Sequence, residues 1–149
     1  RYHKRAHSHP SICRQFRLSD IHFRRNGKFF WQPLPHHSQL PADDPHRFFE
    51  ASWMHKYKGK YYFSYSTGDT HYLCYAVGDN PYGPFTYKGV ILEPVVGWTT
   101  HHSICEYKGQ WYLFHHDCVP SNDTTWLRSV KVAPLFYDED DNILPVQPE

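Results

Sequence analysis

The stretch MHKYKGKYYFSYS, residues 54–66, returns 50 residues later as ICEYKGQWYLFHH, residues 104–116, with its turn pair in register at Lys58-Gly59 and Lys108-Gly109. Each copy sets two aromatic-rich runs on either side of a two-residue turn, which predicts a β-hairpin. Outward from the first copy, ASWMHKY, KYYFSYST, YLCYAVGD and FTYKGVIL are four successive strand candidates. They are separated by Lys-Gly, by Gly-Asp and by the corner Asn80-Pro81-Tyr82-Gly83-Pro84, whose prolines rule out helix. THHSICEY, QWYLFHHD and TWLRSVKVAPLFY begin a second set, with NIL a candidate ragged fourth strand. No segment here sustains a 3.6-residue period.

An all-β unit of four strands repeating at this interval is the signature of a β-propeller blade. Blades buried on both faces by their neighbours would carry aromatics at successive positions, as KYYFSYS and QWYLFHH do. A β-sandwich with two similar hairpins is the alternative.

Composition fits a packed domain: 149 residues, 40% hydrophobic and 18% aromatic, supply a core and exclude a disordered chain. Apolar runs are short and broken by charge, so the expectation is a soluble protein without a membrane-spanning helix or leader. The formal net charge of +1 hides an asymmetry. Eight of the sixteen Lys and Arg fall in residues 1–28, against Asp20 alone, leaving the remainder mildly acidic. Residues 1–43 form an atypical segment rich in His, Arg, Ser and Pro, in which IHFRRNGKFFW reads as strands around an Asn-Gly turn. Its His3, His7, His9 and Cys13 match no standard metal-site spacing, which favours a solvated basic arm. Cys13, Cys74, Cys105 and Cys118 form no C-x-x-C pair, so free thiols are expected, although spacing alone does not rule out a disulfide.

The repeat register singles out candidate site residues. Glu50 lies nine residues before Gly59 and Thr100 nine before Gly109, with His101 and His102 next. In a propeller both positions open the innermost strand of a blade, near the axis. Glu50 is a lone carboxyl among aromatics in RFFEASWM, and burial would favour its protonated form, as a general acid requires. The alternative is a Glu paired with Arg47 or capping a turn. Counting outward from Gly109 sets His101 opposite His116, where imidazoles could serve a cation or water, or simply be strand residues with satisfied nitrogens. Arg128, in the strand candidate TWLRSVKV, is expected to have a fixed partner, either in a buried ion pair or at a substrate hydroxyl or the catalytic carboxylate.

FFEASWMHKYKGKYYFSYSTGDTHYLCYAVGDNPYGPFTYKGVIL, followed by GWTTHHSI and LRSVKV, resembles glycoside hydrolase family 43 over residues 44–144. The resemblance implies a partial five-bladed β-propeller, with residues 44–149 forming two to three terminal blades of four-stranded antiparallel sheets. It implies inverting hydrolysis by β-xylosidases, α-L-arabinofuranosidases and arabinanases acting on xylan, arabinoxylan or arabinan. Glu50 then matches the general acid, His101 the axial histidine that binds a metal or an ordered water, and Arg128 the arginine of the pentose subsite. Trp53 and Trp98 are candidate walls for a sugar ring and Thr100 a further substrate contact. No cofactor is required, calcium or an ordered water on the axis being the candidate ligand. Neither nucleic acid nor membrane is an expected partner, and an extracellular or periplasmic location is expected. A non-catalytic carbohydrate-binding propeller is the alternative function.

Departures from the family pattern set further expectations. Inversion requires a carboxylate base about 6.5 to 9.5 Å from the acid, and the family keeps that Asp on a first blade that nothing in this chain matches. Asp20 is the candidate for the family's third, pKa-tuning carboxylate, although its strand carries Arg24-Arg25-Asn26 in place of an acidic turn. The expectation is therefore a C-terminal fragment, inactive without its base, preceded by residues from a shifted frame or a misjoined gene.

Overall fold

The computed structural model describes residues 44–147 in full, together with the backbone of residues 23–25 and 28–30. The latter are two short antiparallel strands, β1 (Phe23–Arg25) and β2 (Lys28–Phe30), paired Phe23 to Phe30. The His3, His7, His9 and Cys13 cluster, Asp20 and the Asn26-Gly27 turn lie outside the described residues.

Four strands follow as an antiparallel meander: β3 (Phe48–Tyr57), β4 (Lys60–Thr67), β5 (Leu73–Gly78) and β6 (Thr86–Leu92), in spatial order β3-β4-β5-β6. A second sheet orders β7 (Ser103–Tyr107), β8 (Gln110–Asp117) and β9 (Ser129–Leu135). The two copies of the repeated phrase are the β3–β4 and β7–β8 hairpins, closed at Tyr57–Lys60 and Tyr107–Gln110. Both turn residues take positive φ in each, 42° and 86° at Lys58-Gly59 and 52° and 83° at Lys108-Gly109. That pair of left-handed residues matches the twist of the flanking strands, and glycine accepts the second without a Cβ penalty.

The second sheet has three strands, where four were expected. Ile143 of the NIL segment makes only an isolated bridge to Tyr137. The chain then leaves to pair Val146 in parallel with Leu92 of β6, and Val146 N–H donates to the Ile91 carbonyl at 2.7 Å. Burial of Ile143 and Val146 against Ile91 and Leu92 explains this route, because it covers the end of the first sheet with apolar side chains.

Alternating side chains divide the core. Tyr62, Leu73, Tyr75, Ile91 and Leu92 of the first sheet pack between the sheets against Ile104, Leu113 and Leu135. Phe63, Tyr65, Cys74, Ala76 and Phe85 fill the opposite face of the first sheet. β4 is therefore buried on both faces, as its run of aromatics requires. β8 instead alternates: Leu113, His115 and Asp117 are buried, whereas Phe114 between them is exposed.

Three side chains are bonded across the inter-sheet layer, whereas among the described residues the Nδ1 atoms of His55 and His102 are buried without a hydrogen-bond partner. Trp53 Nε1–H donates to the Ile104 carbonyl at 3.0 Å, His55 Nε2 meets Tyr137 Oη at 2.7 Å, and His102 Nε2 meets Ser64 Oγ at 2.6 Å. Such bonds fix how the sheets register, since an unpaired polar atom there would cost about 1–3 kcal/mol. Cys74 and Cys118 are buried free thiols. No helix among the described residues is long and apolar enough to cross a membrane.

Candidate active site

The start of β3 carries Glu50. Pairing shifts from Glu50–Ser66 to Trp53–Ser64, so the strand bulges, with Ala51 at φ 57°. Bulges re-aim side chains at strand ends, and here the Glu50 carboxylate accepts a hydrogen bond from the Thr99 hydroxyl. His101 Nε2 lies 3.9 Å from the same oxygen, Oε1. The two repeats thus bring their equivalent ends together, as the register predicted. The burial expected of Glu50 is absent, however: its side chain is 40% exposed. Neighbours at i±1 in a strand point to the opposite face, so Phe49 turns outward, 54% exposed, and does not enclose the carboxyl.

Thr99 and His101 belong to the segment ahead of β7. The sequence suggested a strand from Thr100, but the ladder begins at Ser103 and this segment is held mainly by side chains. Thr100 Oγ1 donates to the His116 carbonyl at 2.9 Å and accepts the His116 N–H at 3.1 Å. Ser66 Oγ donates to the Thr100 carbonyl. Thr100 is buried, and its hydroxyl serves the backbone of β8 rather than an open pocket. At the segment's start, Gly97 has φ 115°, and a Cβ there would lie 2.8 Å from Cys118 Sγ.

His116 and Arg128 continue the cluster. The rings of His101 and His116 stack with centroids 6.2 Å apart, as the hairpin count foresaw. His116 Nε2 accepts the His101 N–H at 3.0 Å and lies 3.2 Å from an Arg128 guanidinium nitrogen. Both neighbours are donors, so Nε2 carries the lone pair and the proton sits on Nδ1. Burial, and then the adjacent Arg128 charge, hold the imidazole below its usual pKa and keep it neutral. Arg128 itself is exposed and precedes β9, with its Nε–H donating to the Thr125 carbonyl at 3.0 Å. It does have fixed partners, but they are an imidazole and a carbonyl, and it lies outside the strand that the sequence suggested. Left-handed Asn122 and Asp123 close the turn that delays β9.

Trp98 stands beside Thr99, 54% exposed, with its ring 4.8 Å from that of His71. Trp53 is elsewhere: it packs between the sheets, bonded to the Ile104 carbonyl, and is not brought to the Glu50 cluster. Among the described residues no group of three or more His, Cys, Asp or Glu could hold a metal ion. Calcium takes six to eight oxygen ligands, and one carboxylate beside one imidazole does not supply that set.

No protein-family model matches the chain. Among curated proteins it is 86% identical over 108 residues to a β-xylosidase of Xylanibacter ruminicola, covering 72% of this chain and 34% of that protein. A glycoside hydrolase family 43 (GH43_1) enzyme from Xanthomonas citri superimposes with a TM-score of 0.71 at 61% identity, over 73% of this chain and 33% of its own. Complexes of that enzyme with xylotriose and with xylose are also solved. A family 43 β-xylosidase/α-arabinofuranosidase from a compost metagenome, in complex with xylotriose and in a calcium-free form, matches with a TM-score of 0.66 at 63% identity, over 68% and 31%. The chain belongs to glycoside hydrolase family 43.

This family 43 chain spans about one third of the length of the relatives it matches. Two residues of its candidate site escaped the sequence argument. Register pointed to Thr100, whereas the neighbouring Thr99 touches Glu50. His116 was seen only as the ring opposite His101, although it also meets Arg128. That Thr99 rather than Thr100 meets Glu50, and that a backbone N–H and a guanidinium meet one imidazole, left no distinct mark in the sequence.

Proposed function

We propose that the protein carrying these residues is an inverting, exo-acting hydrolase that releases xylose or arabinose from xylan-type chains. Glu50 is its general acid, protonating the glycosidic oxygen as the bond breaks. Arg128 orients the terminal pentose, and Trp98 offers its exposed face to a sugar ring. The observation that carries this reading is the convergence of Thr99 and His101 on Glu50 Oε1, which fixes one carboxyl oxygen at the mouth of two adjoining sheets. The Thr99 bond limits rotation of the carboxyl, so its proton is presented in one direction.

A propeller is supported by the outer face of the second sheet. Phe114, Val130 and Val132 project there, with Val130 77% and Val132 57% exposed. An apolar sheet face of this kind is suited to burial against a further blade. The base that activates water belongs, on this reading, to a part of the enzyme outside the described residues. Without it residues 44–147 have little activity, because general acid–base groups each contribute about 10²- to 10⁴-fold. A polymeric substrate places the enzyme outside the cytoplasm, in the periplasm or beyond the cell.

The test is product analysis with the complete enzyme. Proton NMR during the first turnovers of xylo-oligosaccharides should show α-xylose released from β-linked ends, before mutarotation. Release of the β-anomer would rule out inversion, and absence of any pentose from xylo- and arabino-oligosaccharides would rule out the activity.

A further inference from the structure

His116 occupies a position that the acid and the arginine do not explain by themselves. Its Nε2 receives two donors from two different chain segments: the His101 N–H, from the segment that carries Thr99, and the Arg128 guanidinium, from the loop leading into β9. Its own backbone is fixed as well, since Thr100 Oγ1 bridges its N–H and its carbonyl. The ring is thus a joint. One side sets the segment that holds Glu50, and the other sets the guanidinium.

We propose that His116 is a positioning residue, its unprotonated Nε2 fixing Arg128 relative to the Glu50–Thr99–His101 group. The proposal rests on the reading that Glu50 is the acid and Arg128 meets the sugar. A guanidinium on an exposed loop, with the Thr125 carbonyl as its other partner among the described residues, needs a second anchor to hold one direction. An acceptor that carries no charge supplies the anchor without neutralising the cation. Arg128 keeps its remaining N–H groups, and its full charge, for sugar hydroxyls.

The test compares His116→Asn, His116→Gln, Arg128→Ala and the His116→Asn/Arg128→Ala pair in the complete enzyme, with thermal unfolding followed for each. The Gln amide oxygen reaches the place of Nε2, whereas the shorter Asn side chain reaches only that of Nδ1. Misplacement of a sugar-orienting group by about 1 Å costs up to about 10²-fold. His116→Asn should therefore lower kcat/KM on xylobiose by about 10- to 100-fold, and His116→Gln should recover most of it. In the Arg128→Ala background His116→Asn should add little, because both substitutions remove one function. Equal losses for Asn and Gln at matched thermal stability would overturn the proposal, as would losses that simply add. If Arg128→Ala leaves kcat/KM unchanged, the sugar-orienting role of Arg128 itself falls, and that of His116 with it. Should His116→Asn fail to fold, His116→Gln against Arg128→Ala decides: a Gln variant as impaired as Arg128→Ala contradicts the anchor, and one near wild type upholds it.

Discussion

The Thr99 hydroxyl donates to Glu50 Oε1, joining the segment before β7 to the first residues of β3. This bond, with that of Ser66 Oγ to the Thr100 carbonyl, connects the two repeats at the place where chemistry is proposed. A hydrogen bond to a neutral acceptor, which the protonated acid is, contributes about 0.5–1.5 kcal/mol. Thr99→Val keeps the shape of the side chain and removes the donor. We expect kcat/KM of the complete enzyme on xylobiose to fall about 2- to 10-fold, by the same energy, with the unfolding temperature lowered by at most a few degrees. Steady-state kinetics check this, and an unchanged kcat/KM would show that the bond does not orient the carboxyl.

Gly97 controls the same segment from its other end. With φ at 115° and Cys118 Sγ 2.8 Å from the place of a Cβ, an alanine faces both backbone strain and a clash. Gly97→Ala should destabilise the protein by about 1–3 kcal/mol and lower activity by displacing Trp98 and Thr99. Adding Cys118→Ala removes the clashing sulfur but not the strain. Urea unfolding of the single and double variants should therefore show partial recovery. Full stability in Gly97→Ala alone would contradict the geometry.

Stability should fall in mild acid for a reason located in the inter-sheet layer. His55 is buried and His102 is half-buried with its Nδ1 enclosed, and desolvation lowers their pKa from 6.5 to about 3. Burial pushes His115 and His116 in the same direction. With the folded value below the unfolded one, the unfolded chain takes up protons as pH drops through 6.5 while the folded chain does not. The stabilisation is complete above that pH and is lost between it and about 3, at about 1.4 kcal/mol per pH unit for each such histidine. Urea midpoints should drop between pH 7 and pH 5. His102→Gln, which can still bond Ser64, should flatten that slope by about one proton. An unaltered slope would mean that His102 is not held neutral.

The sequence announced the hairpins because aromatic runs and Lys-Gly turns are local chemistry: Lys58-Gly59 and Lys108-Gly109 take the left-handed conformations that a two-residue turn demands. It also placed Glu50 beside His101, since equivalent positions of a repeat meet when successive sheets pack face to face. What it could not disclose depends on groups distant in the chain. Thr100 looked like the start of a strand, yet its hydroxyl takes over the backbone of His116 and β7 begins later. Arg128 looked like a strand residue in LRSVKV, but the turn through Asn122 and Asp123 delays β9 beyond it. NIL looked like a fourth strand, yet burial on β6 outweighed pairing with β9. Aromatics next to Glu50 suggested an enclosed carboxyl, and strand alternation sent Phe49 the other way.

General acid catalysis by Glu50 is most directly tested by the dependence of Glu50→Gln on the leaving group, measured with the complete enzyme. The xylose unit expelled from xylobiose departs only with a proton, whereas the dinitrophenolate expelled from a dinitrophenyl xyloside departs without one. The account predicts a loss of about 10²- to 10⁴-fold on xylobiose and a far smaller one on the dinitrophenyl substrate. Equal losses on both, or none on either, would contradict it.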